Sequence, residues 1–388
     1  MQQFTVPRDV FFGHGALEHL KTIKGTRALI SIGSDRLIES GVVAKVEGYL
    51  KEAGMETDLY SGITHDPTFG MAHDCAKEME KFQPDVIVAI GGGSPIDATK
   101  AAWTFYEYPE LTQEEATTPF ALPELRRKAK FVAVSTTSGT GTEVTSFAVV
   151  ADDESFIKYP MADFNLTPDV AIVDFDMVET LTPELVANTG MDALTHSFEA
   201  YVSPARTPFT DAMAMWSIEM IVNDIVGSYH GEKKAREEMH VAQCMAGMAF
   251  SNAILGIVHS MAHKSGKIFG VPHGCANAIY LPYVIEYNAK EAAPAYADIA
   301  ARLDLEGSTE DELVTSLVQL VKDLRIQMNM PASLQEFGVP EDLFLEKLPV
   351  IAPAAVGDPC TGTNPRKVTP EQMTELFKCV YYGKEVDF

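Results

Sequence analysis

Asp85-Val-Ile-Val-Ala-Ile-Gly-Gly-Gly-Ser-Pro-Ile-Asp-Ala-Thr-Lys100 is the stretch on which the fold turns. Val86 to Ile90 are apolar without a break, too few for a helix and rich in β-branched residues. That is the pattern of a strand covered on both faces, as in a parallel sheet. The run passes directly into three glycines and then Pro95, which suits the first turn of a helix because its missing N–H would have no partner there. A strand that ends in glycines and opens a helix offers free backbone N–H groups and the positive helix end to an anion. The spacing is neither G-x-G-x-x-G nor a Walker loop, since no Gly-Lys-Ser/Thr follows. Gly92, Gly93 and Ser94 are therefore read as a phosphate-binding turn, with Asp97 taken alongside them.

Working outward, the same pattern repeats. Arg27-Ala-Leu-Ile-Ser-Ile32 is a second buried strand, closed by Gly33, and helical spacing follows from Asp35 to Ala53. Further strands are expected at 4–12, 57–61, 131–134 and 169–174, and helices near 16–23 and 68–82. Thr145 to Val150 and Phe156 to Met161 suggest a hairpin. Strands alternating with helices predict βαβ units and a parallel sheet. After Phe131-Val-Ala-Val134 comes Ser135-Thr-Thr-Ser-Gly-Thr-Gly-Thr-Glu143, a loop of hydroxyls and glycines at a strand end, where ligands of such sheets sit. Near Thr182 the character changes. The periodicity becomes almost wholly helical, with helices near 183–202, 209–228, 233–252, 257–268, 289–303, 309–327, 341–350 and 370–382. We expect an α/β domain over 1–180 and an all-α domain over 181–388.

The helical half carries the histidines. Gly256-Ile-Val-His-Ser-Met-Ala-His-Lys-Ser-Gly-Lys-Ile-Phe-Gly-Val-Pro-His-Gly274 holds three of the chain's ten. His259 and His263 are four apart, on one face of a helix, and His273 follows a Gly-Val-Pro turn that can bring it back beside them. Asp192-Ala-Leu-Thr-His196 repeats the spacing with a carboxylate and an imidazole. One Asp with three or four His suits zinc or ferrous iron. Spacing alone does not choose between His259 and His263.

Composition narrows the classes. The chain has 388 residues, 46% hydrophobic and 22% charged, an ordinary globular balance with room for two cores. Its formal net charge of −25 argues against nucleic acid or an anionic membrane surface as partner. Five scattered cysteines without a CxxC pair argue against a disulfide framework. With no signal-like N-terminus and no apolar run long enough to span a bilayer, a cytoplasmic protein is expected.

Taken together, Gly91-Gly-Gly-Ser-Pro-Ile-Asp97, the 135–143 loop, Lys158-Tyr-Pro, Pro168-Asp-Val-Ala-Ile-Val-Asp174, Met191-Asp-Ala-Leu-Thr-His-Ser-Phe-Glu-Ala-Tyr201, His259-Ser-Met-Ala-His263, Pro272-His-Gly-Cys-Ala-Asn-Ala278 and Asp358-Pro-Cys-Thr-Gly-Thr-Asn-Pro365 resemble the iron-dependent, metal-containing (group III) alcohol dehydrogenases. Residues 137–174 are most similar to the alcohol dehydrogenase part of bifunctional aldehyde-alcohol dehydrogenases. The resemblance implies a dehydroquinate synthase-like fold, with an N-terminal α/β nucleotide-binding domain and a C-terminal helical metal-binding domain. It implies Asp192, His196, His259 and His273 as metal ligands, and His263 as a further histidine that is the candidate proton relay. Gly92, Gly93, Ser94, Thr136, Thr137 and Lys158 match cofactor-contact positions, and Thr140 and Asp97 are taken with them.

The implied reaction is hydride transfer between a small alcohol or its aldehyde and NAD or NADP, with Fe²⁺ or Zn²⁺ polarising the substrate oxygen. A homodimer or larger homo-oligomer is also implied. Cofactor choice stays open after the first long strand. Gly33 or Ser34 there leaves room for a 2′-phosphate, whereas Asp35, one step on, would repel it. The competing readings are a glycerol-type polyol dehydrogenase, a dehydroquinate synthase-like lyase, and a nucleotide- and metal-binding module without turnover.

Overall fold

The structure is a computed structural model that describes residues 3–64, 67–154 and 158–388. It separates into two compact units, Met1–Thr180 and Leu181–Phe388.

The first unit is built on a six-stranded, all-parallel sheet in the order β1-β8-β5-β4-β2-β3. Its strands are β1 (Asp9–Gly13), β2 (Arg27–Ile32), β3 (Glu56–Tyr60), β4 (Val86–Gly91), β5 (Lys130–Ser135) and β8 (Val170–Asp174). Every residue of β4 is buried, and alternate side chains go to opposite faces. Ile87 and Ala89 join the core that holds Phe69, Met79 and Trp103. Val86, Val88 and Ile90 join the one that holds Leu17, Val43, Val46 and Leu50. β6 (Phe147–Ala151) and β7 (Lys158–Ala162) form a separate antiparallel pair. Of the expected hairpin, Phe156 and Ile157 lie outside the described residues.

The strand order positions the candidate loops. From β2 the chain moves outward to β3, then crosses back to place β4 on the other side of β2. The carboxyl ends of β2 and β4 therefore flank the point where the winding reverses, the usual ligand crevice of such sheets. The loops after β2, β4 and β5 leave three neighbouring strands at this edge.

The second unit is helical throughout its regular elements. Its main helices are Pro183–Val202, Pro208–Tyr229, Lys233–Ala253, Ile257–Phe269, His273–Arg302, Glu310–Gln327, Glu341–Val356 and Pro370–Tyr382. Pro183–Val202 packs against three of them, Pro208–Tyr229, Lys233–Ala253 and His273–Arg302, and is buried on nearly all sides after its first two turns.

Several expectations need correction. The helix expected over residues 35–53 is broken into Arg36–Glu39 and Val42–Glu52, because Gly41 between them takes a φ of 80°. The segment near 16–23 is a 3₁₀ helix, Ala16–Thr22. His273, expected in a loop, is the first residue of a thirty-residue helix capped by Pro272. The helix expected near 289–303 is its C-terminal part, and Pro294 there accompanies a kink at Ala292. Glu341–Val356 likewise runs on past 350 through Pro349 and Pro353. Among the described residues no single helix is long and apolar enough to cross a membrane. The one pair that would pass on length and composition, Lys233–Ala253 with Ile257–Phe269, is bent by 105°.

Candidate metal and cofactor sites

Asp192 and His196 lie a turn apart on Pro183–Val202, His259 and His263 a turn apart on Ile257–Phe269, and His273 opens the next helix. Three imidazoles converge on one oxygen. The Nε2 atoms of His259, His273 and His196 lie 3.5, 3.5 and 3.8 Å from Asp192 Oδ1. Donor atoms about 2.0–2.2 Å from a common ion in a tetrahedron lie roughly 3.3–3.6 Å apart. His259 and His273 fall in that range from Asp192, and His196 just outside it. Asp192, His196 and His259 bring ligand atoms close enough together to hold an ion. Asp192, His196 and His259 are almost wholly buried, while His273 is 39% exposed and gives the cluster an open side. The rings of His196 and His259 stack at 4.6 Å, and Phe250 stacks on the far face of His196 at 4.3 Å.

The surrounding side chains fix this geometry. Glu199 lies buried on the same helix as Asp192 and His196, and its Oε2 is 2.5 Å from His259 Nδ1. A carboxylate only accepts, so Nδ1 carries the proton and Nε2 faces the cluster. Glu199 Oε1 accepts from the Val258 N–H at 2.7 Å. Asn277, one turn beyond His273, has its Nδ2 2.7 Å from Asp192 Oδ1, 3.2 Å from His259 Nε2 and 3.3 Å from His273 Nε2. Its buried Oδ1 has no protein partner.

Charge follows the arrangement. Burial works to raise the Asp192 carboxyl, but His196, His273 and His259 outweigh it and hold the group far below the usual carboxylate range. Burial likewise works to lower His259, but Glu199 and Asp192 raise it to about 9.

His263 stands beside the cluster without joining it. Its ring stacks parallel to that of His273 at 5.5 Å, and its Nδ1 is 3.3 Å from Asp358 Oδ2. The same oxygen takes Lys264 Nζ at 3.0 Å, and the other accepts from the Cys360 N–H. Burial works to raise Asp358, yet His263 and Lys264 carry it well below the ordinary range.

The loops of the first unit make a different kind of site. Helix Gly93–Glu107 begins directly after Gly92, with no side chain capping its free N–H groups. The next loop packs on the glycines: a Cβ on Gly92 would stand 3.0 Å from Thr137 Oγ1, and one on Gly93 3.0 Å from Thr140 Cγ2. Thr136 N–H donates to Gly91 O at 2.9 Å, and the buried Thr137 Oγ1 has no protein partner. Open N–H groups, bare glycines and an unsatisfied hydroxyl fit a phosphate-bearing ligand.

Ser94 lies in this helix's first turn and Lys158 opens β7, away from the glycine turn in sequence but beside Asp97 electrostatically. Asp97 points elsewhere: its oxygens accept from Thr142 Oγ1 at 2.5 Å and from the Val149 N–H at 3.0 Å. Gly33 has a packing reason to be glycine, since a Cβ there would stand 2.7 Å from Pro95 Cγ. Ser34 and Asp35 follow it, exposed, at the start of Arg36–Glu39.

Comparison with known proteins identifies the family. Residues 7–175 match the iron-containing alcohol dehydrogenase family, and residues 186–381 match the C-terminal region of the Fe-containing alcohol dehydrogenase family. The chain belongs to the iron-containing alcohol dehydrogenases.

It is 55% identical over 388 residues to an NADPH-dependent butanol dehydrogenase of Clostridium saccharobutylicum, each chain covered in full. It is 39% identical to the bifunctional aldehyde-alcohol dehydrogenase of Escherichia coli K12, matching 98% of this chain and 46% of that longer one. An iron-containing alcohol dehydrogenase from Thermococcus thioreducens superposes with a TM-score of 0.91 at 35% identity, covering 98% of this chain and all of the other. The protein is thus a metal-dependent alcohol dehydrogenase, an oxidoreductase that interconverts small alcohols and their aldehydes by hydride transfer with NAD(P).

Four residues escaped the sequence reading. Glu199 and Asn277 stood inside quoted motifs, and their period from Asp192 and His273 was the available signal. Asp358 lies 95 residues from His263, a separation no local pattern bridges. Lys100 ends the glycine stretch, and nothing in the sequence signals that it is fully buried.

Proposed function

We propose that this dehydrogenase is NADPH-dependent, loads ferrous iron on Asp192, His196, His259 and His273, and reduces short aliphatic aldehydes of about butanal size. The observation that carries the metal assignment is the convergence of three Nε2 atoms on Asp192 Oδ1. When bound, the metal supplies a Lewis acid for the substrate oxygen and the nicotinamide supplies the hydride. The chain's own residues do the rest. Glu199 and Asn277 hold the ligand atoms in register, and the buried Phe250 and His196 rings exclude water from one side. Asp358 fixes His263 through Nδ1, leaving Nε2 to deliver a proton to the product oxygen or remove one from the alcohol.

Support for NADPH comes from Ser34 and from Arg36, which opens the helix after it, and from the NADPH dependence of the Clostridium relative. Gly92, Gly93, Ser94, Thr136, Thr137 and Thr140 would hold the pyrophosphate and ribose, with Lys158 near the loop. Five free cysteines suit a reducing cytoplasm. A homo-oligomer belongs to the same proposal, and light scattering on purified protein tests it.

The decisive experiment strips the metal, restores Fe²⁺ or Zn²⁺ anaerobically, and follows NADPH or NADH consumption with butanal. Iron-restored turnover with NADPH favoured by about tenfold or more is the expected result. Preference for NADH would overturn the cofactor assignment, and turnover that survives without metal would overturn the ligand set.

A further inference from the structure

Lys100 is the one fully buried lysine among the described residues, with no exposed surface. Its Nζ donates to three carbonyls, Thr142 O at 2.7 Å, Thr145 O at 2.7 Å and Phe147 O at 2.9 Å, one for each ammonium hydrogen. One turn earlier on the same helix, Asp97 accepts from Thr142 Oγ1 and from the Val149 N–H. A single helical turn thus stitches residues 142–149 at five points. The helix that carries both side chains begins at Gly93, and Thr137 and Thr140, just upstream of the stitched segment, pack on Gly92 and Gly93.

We propose that Lys100 is a positioning residue for the cofactor: by clamping these carbonyls it sets the 136–140 loop at its working height over the glycine turn. The proposal rests on the reading above that the dinucleotide binds at that turn. Stability alone does not account for a buried ammonium. Removing one from water is costly, and an apolar side chain of similar length would be cheaper. Burial pulls Lys100 down to about 8, opposed by Asp97 and Glu143, which favour its charged form. What the ammonium contributes is direction, because three carbonyls must point at one atom. Movement of residues 142–147 would carry Thr137 and Thr140 away from the glycines and open the wall of the turn.

The test is a double-mutant cycle read by NADPH fluorescence titration, with metal content measured in parallel. Thr137→Val alone should weaken NADPH binding about fivefold and Lys100→Met about tenfold. The double variant should be no weaker than Lys100→Met, because a displaced loop has no Thr137 contact left to lose. In Lys100→Met, metal content and kcat at saturating NADPH should stay within about twofold of wild type, so that the loss falls on KM. Multiplicative losses in the double variant, or wild-type binding by Lys100→Met, would overturn the proposal. If Thr137→Val itself binds NADPH normally, the siting of the cofactor fails first and the role of Lys100 with it. Should Lys100→Met not fold, Asp97→Asn takes its place in the same cycle. That variant keeps the shape and loses the charge, and additive losses would again be decisive against the idea.

Discussion

The carboxylate–imidazole cluster and the glycine turn would bind their ligands by opposite means. The cluster is made of side chains: a carboxylate and imidazoles spaced by helical turns, each held by a second polar group. The turn is made of backbone: N–H groups laid bare because side chains are missing, walled by threonines whose place is set from beneath. A side-chain site tolerates little change of residue type but some change of surroundings. A backbone site is the reverse, since its contacts survive any substitution that leaves the path of the chain alone.

That contrast can be broken experimentally. The largest effect is expected at Asp192, the point on which three imidazoles converge. Asp192→Asn should lose stoichiometric metal and more than about 10³-fold in kcat/KM, with NADPH affinity unchanged by titration. Retained metal and activity would remove Asp192 from the ligand set. Glu199→Gln comes next. It keeps an acceptor for His259 Nδ1 but not the charge, and about 10–100-fold weaker metal binding is expected from competition with a chelator. Gly92→Ala puts a methyl 3.0 Å from Thr137 Oγ1. About a tenfold rise in KM for NADPH should follow with full metal content, the mirror image of the Asp192 result.

The smallest effect concerns pH. Lys100 titrates near 8 in the folded chain against an ordinary 10.5. Between those values the unfolded chain binds more protons, so unfolding free energy rises with pH across the window. Wild type should therefore gain stability relative to Lys100→Met between pH 8 and 10 in denaturant titrations, and the two curves should run parallel below pH 7. Parallel curves throughout would mean that the ammonium is not strained by burial.

The same contrast explains what could be read from the sequence. The parallel sheet was legible because Val86-Ile-Val-Ala-Ile90 and Ala28-Leu-Ile-Ser-Ile32 are apolar on both faces, and only a two-sided core requires that. The histidine pairs were legible because residue type and helical period together announce a cluster. The start of the helix at His273 was not, because Gly270-Val-Pro-His273 reads locally as a turn, whereas its later part near 289–303 was expected in spite of Pro294. Nor was the work of Asp97 and Lys100, whose partners at Thr142 to Val149 lie some forty residues on and are mostly backbone atoms, which every sequence supplies alike.

Asp192 and Glu199 also set an electrical account for the cluster. Both are buried carboxylates, and the imidazoles that would face an ion are neutral as ligands. A divalent cation brings this enclosure to zero net charge, whereas a trivalent one leaves a positive charge stranded away from water, which is costly. That balance would favour a divalent ion over a trivalent one. Protein loaded with Fe²⁺ without oxygen and then oxidised should shed its iron on desalting, while a zinc-loaded sample treated identically keeps its metal. Equal retention by both would show that the enclosure exchanges charge with water more freely than its burial implies.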